Sequence, residues 1–243
     1  SEFMPKVAIV TDSSANLPPE LIEEYDIHIV PIYLRWNGKD YRDGIDISAQ
    51  EVYRRLRNST SLPKTSAPSV GDFLRTYMSL ANEADVIISI HLSPNLSAVY
   101  KAALTASNLV EGIKIYVVDS HTAAMGQGFV VLEAARAARE GASLEEIFKR
   151  IEYVSSRIHL FAALSTLKYL YYGGRIGAAA ALVGSTLQIK PILYLKDGSI
   201  GVWAKPRTMK GAIQELLRLA EEKIGSKRVH IAVMHADALQ EAL

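Results

Sequence analysis

Two short stretches concentrate hydroxyl side chains where helical patterns open. In LPKTSAPS, residues 62–69, Thr65 and Ser66 stand side by side ahead of Pro68 and Ser69. In ISIHLSPNLSAVY, residues 88–100, an apolar run stops at Ser93-Pro94-Asn95, and Ser97 follows before an Ala-rich helical stretch. Ser93-Pro94 is a good N-cap and first-turn pair. Capping accounts for one of the two serines, and the other hydroxyl is expected to point elsewhere. Free backbone N–H groups at a helix start favour an anion. Hydroxyl donors there suit a carboxylate held by hydrogen bonds, since burying an unpaired charge is very costly. The same residues also read as well-capped connections, and composition does not separate the two. Arg175, after the Gly173-Gly174 break, and Arg207 are the nearest cation candidates. His235, at the end of the last expected strand, is a further donor or a strand-end histidine satisfied by backbone.

Other chemistry is poorly represented. Thr11-Asp12-Ser13-Ser14 closes the first expected strand, where Asp12 is either a loop cap or a phosphoryl-transfer nucleophile. The second acid that usually accompanies such a nucleophile is replaced by Ser14. There is no GxxxxGK[ST], no GxGxxG after a strand and no GxSxG. Gly126 and Gly128 lie inside a helical pattern. The six histidines show no metal-ligand spacing, and with no cysteine there is neither disulfide nor thiolate chemistry. No structural metal is expected, and two readings stay open beside ligand binding: a phosphoryl-transfer or hydrolytic α/β enzyme using Asp12, and a ligand-sensing regulatory module.

These groups need elements to hold them. Strands are expected over 7–11, 28–34, 86–92 and 115–119, each Val/Ile-rich and short. Helices are expected at 18–25, after Ser48-Ala-Gln-Glu51 and after Ser69-Val-Gly-Asp72, the last two opening with capping-box spacing. Alternating strands and helices imply a mostly parallel sheet. Ligands of such sheets gather at the carboxyl edge of the strands, near helix openings.

Another capping box, Ser143-Leu-Glu-Glu146, opens a helix to about residue 157. The expected elements then become strand 159–164, short helix 166–172, apolar helix 178–187, a hairpin 190–204 turning at Asp197-Gly198, helix 208–223 and strand 229–234. This gives an α/β protein of two lobes, 4–155 with the mostly parallel sheet flanked by helices, and 156–243, a smaller α/β lobe. The stretch AAAALVGSTLQIKPIL, 178–193, reads as a buried Ala-rich helix leading into a strand. Alternatively, its small side chains leave room for a slender apolar ligand, each buried methylene being worth ~0.8 kcal/mol.

The chain has 243 residues and a formal net charge of +1, so no whole-molecule field draws in nucleic acid. No run approaches the ~18 apolar residues of a membrane span, and a cytoplasmic protein is expected. Ser1-Glu2-Phe3 reads as a cloning remnant. The chain stops within a helical pattern, DALQEAL, which suggests truncation of the second lobe.

Together the stretches VAIVTDSSANLP, YRDGIDIS, LPKTSAPS, ISIHLSPNLSAVYKAA, VVDSHTAAMGQG, LKYLYYGGRIGAAAALVGSTLQIKPIL, KPRTMKGA and VMHADA run through nearly the whole chain. In this set and order the sequence resembles the DegV family of bacterial fatty-acid-binding proteins, which includes the binding subunits of the fatty acid kinase system. The resemblance implies one long-chain fatty acid held between two lobes, with its carboxylate bonded by Thr65 and Ser97. It also implies that Ala98, Arg175 and His235 neighbour the head group. Family members of the kinase system are not themselves catalysts. They present the carboxylate to a separate ATP-using kinase, which makes an acyl phosphate for lipid synthesis; neither nucleic acid nor integral membrane contact is implied. Two departures stand out: Ala98 and Val99 replace the family's usual Gly and Thr, and the family continues past the equivalent of Leu243. Ala98 keeps its backbone N–H, while the Thr hydroxyl is lost.

Overall fold

The computed structural model describes residues 4–184 and 188–243. The remnant expected over 1–3 and the end of the helix expected over 178–187 lie outside the described residues. The chain forms two compact units, Ser1–Ile158 and His159–Leu243.

In the first unit, β1 (Val7–Asp12) runs into one turn of 3-10 helix (Ser13–Ala15), then α1 (Pro19–Glu24) and β2 (Ile27–Val30). A second set of strands follows: β3 (Tyr33–Trp36), β4 (Lys39–Arg42) and, after α2 (Ala49–Asn58), β5 (Lys64–Ser66). Next come α3 (Val70–Leu80), β6 (Val86–His91), α4 (Val99–Ser107), β7 (Lys114–Asp119), α5 (Ala124–Arg139) and α6 (Leu144–Ser155). β1, β2, β6 and β7 form a parallel sheet in the order β2-β1-β6-β7. All six residues of β6 are buried, which is what near-continuous apolarity means in a strand covered on both faces. Its Ile87, Ile88 and Ile90 are fully buried, each contributing about 1.5–3 kcal/mol. Phe73 and Tyr77 of α3 and Val99, Ala103 and Ala106 of α4 share one core cluster with Val10, Val30 and Ile87. α5 packs on β1 and β6 and carries α6.

The close approach of α5 explains the glycines of MGQG. A methyl group on Gly128 would lie 2.8 Å from the Ala15 carbonyl oxygen and 2.8 Å from the Met125 sulfur. One on Gly126 would meet the Thr122 hydroxyl at 2.5 Å. These glycines are packing positions against the 3-10 turn and the helix entry. Ser69 and Asp72 form the full reciprocal capping box of α3. Ser48 caps α2, but Glu51 turns to Arg54 and Arg55 and does not complete the box.

The strand expected over 28–34 is two strands. Pro31 has no N–H to give a ladder, and the chain leaves the parallel sheet there. β3 then pairs antiparallel with both β4 and β5, in a separate sheet ordered β4-β3-β5.

The second unit contains β8 (Leu160–Ala163), α7 (Lys168–Gly173), a 3-10 segment (Gly177–Leu182), β9 (Ile192–Lys196), β10 (Ser199–Ala204), α8 (Met209–Ile224) and α9 (Leu239–Ala242). Its sheet is antiparallel, β10-β9-β8. β9 and β10 turn at Asp197 and Gly198, both at positive φ (50° and 78°), as a type I′ hairpin requires. Thr208 caps α8 by accepting the Gly211 N–H. The architecture is α/β: a parallel sheet flanked by helices, and a smaller α/β unit.

Two expectations for this unit fail. The Ala-rich stretch is a short 3-10 segment in which Ala179 is buried while Ala178, Ala180 and Ala181 are exposed. It is not a buried α-helix; Gly177 at φ 55° and the methyl-sized side chains give it little to anchor a long apolar face. Residues 229–234 are not a strand. Their alternation of apolar residues suits one, but no ladder partner takes their backbone, and Val229, Ile231 and Val233 stand exposed.

Candidate functional site

The two hydroxyl-bearing segments are held by the core of the first unit. β6 ends at His91, and the loop that follows is tied sideways to the loop after β7. The Ser120 N–H donates to the His91 carbonyl at 3.0 Å, and the Ser93 N–H to the Thr122 carbonyl at 3.0 Å. The Leu96 N–H returns to the Ser93 carbonyl at 3.0 Å, closing a turn. The Ser93 hydroxyl oxygen accepts the Asn95 N–H at 3.2 Å, and that of Ser97 accepts the Val99 N–H at 3.3 Å. Both serines therefore serve the local backbone, correcting the expectation that only one does so. A serine oxygen that accepts keeps its own O–H to donate. Ser97 is half-buried, Ala98 is exposed at the N-cap without a side-chain cap, and Val99 is fully buried and pins the start of α4.

Thr65 does not belong to a strand of the parallel sheet. It sits exposed on β5, opposite Leu34 of β3, four residues before the Ser69 cap of α3. Ala67, two residues on, packs against the same core cluster that holds Leu96 and Val99. The structure thus seats the segments carrying Thr65 and Ser97 on one core.

Arg175 and His235 belong to the second unit. The Arg175 N–H closes α7 on the Leu170 carbonyl at 3.1 Å, past Gly174 in the left-handed region. Its guanidinium donates to the Gly173 carbonyl at 2.6 Å, and the residue is exposed. His235 follows no strand. It is exposed, and its Nδ1 accepts the Ala238 N–H at 3.1 Å, an Asx-like local bond. Arg207 is exposed on the bend before α8.

A feature missed in the sequence lies buried at the ends of β1 and β6. Tyr77 Oη donates to Ser89 Oγ at 2.7 Å, Ser89 Oγ lies 2.6 Å from His91 Nε2, and His91 Nδ1 lies 2.8 Å from Asp12 Oδ2. With Tyr77 donating to Ser89, the consistent assignment sends the Ser89 proton to Nε2 and leaves Nδ1–H on the carboxylate. Asp12 also accepts from the Ser14 N–H at 2.9 Å, the Ser14 hydroxyl and Gln127 Nε2 at 3.0 Å. Gln127 Nε2 lies 2.9 Å from Thr11 Oγ1, which donates to the Ile90 carbonyl at 2.6 Å. Burial pushes the Asp12 carboxyl upward, but the bonds from His91 and then Ser14 outweigh it and hold the group below its ordinary range. Burial raises the Tyr77 phenol, against the bond to Ser89.

Asp12, His91 and Ser89 have the connectivity of an Asp-His-Ser array, yet all three are 0% exposed. Ser89 is bonded to both Tyr77 and His91 and is closed off from solvent. Asp12 has both oxygens occupied, so it acts as a cap and an anchor and has no free oxygen for phosphoryl attack. The available signal was Ser89 and His91 at i and i+2 of a buried strand: on one face, two polar residues must find partners. Among the described residues, no group of three His, Cys, Asp or Glu could hold a metal ion, and no helix is long and apolar enough to cross a membrane.

Residues 6–243 match the profile described as uncharacterised protein, DegV family. The chain belongs to the DegV family. A DegV domain-containing protein of Halalkalibacterium halodurans is 39% identical over 241 residues, 98% of this chain and 85% of that protein. Among solved structures, a DegV family protein from Thermus thermophilus, described by its fatty acid binding, is similar at TM-score 0.84 and 35% identity. The match covers 91% of this chain and 79% of that one. A stearic-acid-binding protein from Eubacterium ventriosum is similar at TM-score 0.84 and 29% identity, over 90% and 76% of the two chains. The fold of this DegV-family chain, with its parallel sheet and added antiparallel sheets, is the one those structures share.

Proposed function

We propose that this chain is a fatty acid carrier whose Thr65 and Ser97 hydroxyls bind the carboxylate of a long-chain fatty acid. The observation that carries the reading is the seating of both hydroxyl segments on one core, at the openings of α3 and α4. The fatty acid binding described for the Thermus thermophilus and Eubacterium ventriosum relatives supports the ligand class. Two hydroxyl donors and the backbone N–H groups at the start of α4 form a donor set fit for a carboxylate. The hydrocarbon tail lies in an apolar channel, and Arg175, His235 and Ala98 are the further head-group residues of this reading. The carrier makes and breaks no bond itself. It presents the carboxylate to a partner kinase, where a carboxylate oxygen attacks the γ-phosphorus of ATP, ADP leaves, and an acyl phosphate forms.

Native mass spectrometry of the purified chain should show a mass increment of one long-chain fatty acid, or uptake of one on addition. Absence of both overturns the reading. The double variant Thr65→Val, Ser97→Ala should lose most of that binding while keeping its circular dichroism spectrum, and unchanged binding would refute the head-group assignment. ATP-dependent acyl phosphate formation that needs both this chain and a kinase subunit tests the partner role.

A further inference from the structure

The buried Tyr77–Ser89–His91–Asp12 chain ties α3, which follows the Thr65-bearing β5, to β6, which precedes the Ser97 loop. Tyr77 stands in the last turns of α3, whose entry segment carries Thr65. His91 is the last residue of β6, and the loop it launches carries Ser97. Asp12 closes β1, and Gln127 ties α5 to it at 3.0 Å. Phe73, also on α3, meets the His91 ring edge-on at 5.1 Å. Apolar packing alone tolerates a small slide of a helix over a sheet, because contacts between methyl groups have no direction. Hydrogen bonds of 2.6–2.8 Å in series do not, since each weakens steeply off-line. The chain also runs one way, with donors pointing toward the Asp12 carboxylate, so each link has a single satisfied partner on either side.

Resting on the fatty acid reading above, we infer that this chain is the positioning device of the head-group site. It sets α3 against β6 and thereby places the Thr65 hydroxyl relative to the Ser97 hydroxyl. Tyr77, Ser89, His91 and Asp12 are positioning residues that never touch the ligand. Their contribution falls on the carboxylate, which needs two donors aimed at once, and not on the tail, which needs only a dry channel.

The test compares a long-chain fatty acid with the primary alcohol of the same chain length. Binding of each is measured on the unaltered chain, on Tyr77→Phe and on Ser89→Ala, alongside thermal melts. Tyr77→Phe deletes one hydroxyl and leaves every Asp12 partner in place, so it is the variant expected to stay folded. We expect acid affinity to fall about tenfold, the scale of one misaligned charge-assisted hydrogen bond, with alcohol affinity within about twofold of the parent. We also expect Thr65→Val to cost less in the Tyr77→Phe background than alone, because a hydroxyl already misplaced has less to lose. Acid and alcohol affinities that fall together overturn the inference, as that is how general loosening would look. Unchanged acid affinity in both variants overturns it too, while leaving the carrier reading intact. An unaltered chain that binds no fatty acid removes both.

Discussion

Thr65 and Ser97 are engaged by the protein in different ways. Ser97 accepts the Val99 N–H at the start of α4, whereas Thr65 lies exposed on a short edge strand. Replacing Thr65 with Val keeps the β-branched shape that suits a strand and removes only a donor. Thr65→Val should therefore weaken fatty acid binding about tenfold, by loss of one charge-assisted bond, with the melting temperature unchanged. Ser97→Ala should reduce affinity similarly and also lower the melting temperature by a few degrees, since it removes the hydrogen bond from the Val99 N–H, worth ~1 kcal/mol. Isothermal titration with parallel melts separates the two, and equal loss of stability would show Thr65 to be structural. At this scale hydroxyls could be read from the chain, but their partners could not. A serine two residues before an N–H looks the same on paper whether it caps, donates outward or does both. Asp12 shows the converse. Its two possible roles were separated only by the position of His91, 79 residues away in sequence.

Elements that depend on nearby residues follow their local chemistry closely in both units. Ser69 with Asp72 and Ser143 with Glu146 start helices where the capping spacing places them, and Asp197-Gly198 turns the hairpin because both residues accept positive φ. Legibility failed where an element needs a neighbour to exist. Residues 229–234 alternate as a strand does but form no ladder, and 178–184 are apolar without being a buried α-helix. Pro31 carried a readable signal, the missing donor that divides β2 from β3. Helix α5 offers the sharpest test at this scale. Gly128→Ala puts a methyl 2.8 Å from the Ala15 carbonyl. It should destabilise the first unit by about 1–3 kcal/mol, as overpacking does, despite the better helix propensity of alanine. Chemical denaturation checks this, and a neutral or stabilising result would mean that α5 and the 3-10 turn can separate cheaply.

Across the molecule, hydrophobic burial is uneven. Among the described residues, the second unit buries Ala179, Ile192, Leu193, Ala212 and Leu219, while the first buries the whole of β6, most of α5 and one face each of α3 and α4. A fragment spanning 4–158 should accordingly melt cooperatively by itself, and one spanning 159–243 should not. Circular dichroism of the two fragments decides, and a cooperative second fragment would contradict the burial argument. Acid stability has a defined sign. The Asp12 carboxyl is held below its ordinary range in the folded chain, so between the folded and unfolded values the unfolded chain binds more protons. Its contribution is complete above the unfolded value, near pH 4, and is lost as pH falls through the folded one. The melting-temperature gap between the unaltered chain and Asp12→Asn should be widest at neutral pH and narrow below about pH 4. A gap that stays constant to pH 2 would mean that the charge of Asp12 adds nothing to stability.

From its residues alone the chain declared its α/β class, its family, most helix starts and the hydroxyl-rich segments. Each of those depends on interactions within a few positions or on a pattern repeated along the chain. Tertiary structure alone decided that Thr65 lies on a separate antiparallel sheet, that Ser93 and Ser97 both bind local backbone, and that Asp12, His91, Ser89 and Tyr77 join in one buried line. The physical reason is that a buried polar group is defined by its partner. Sequence shows that such a group must be satisfied, but folding chooses by what.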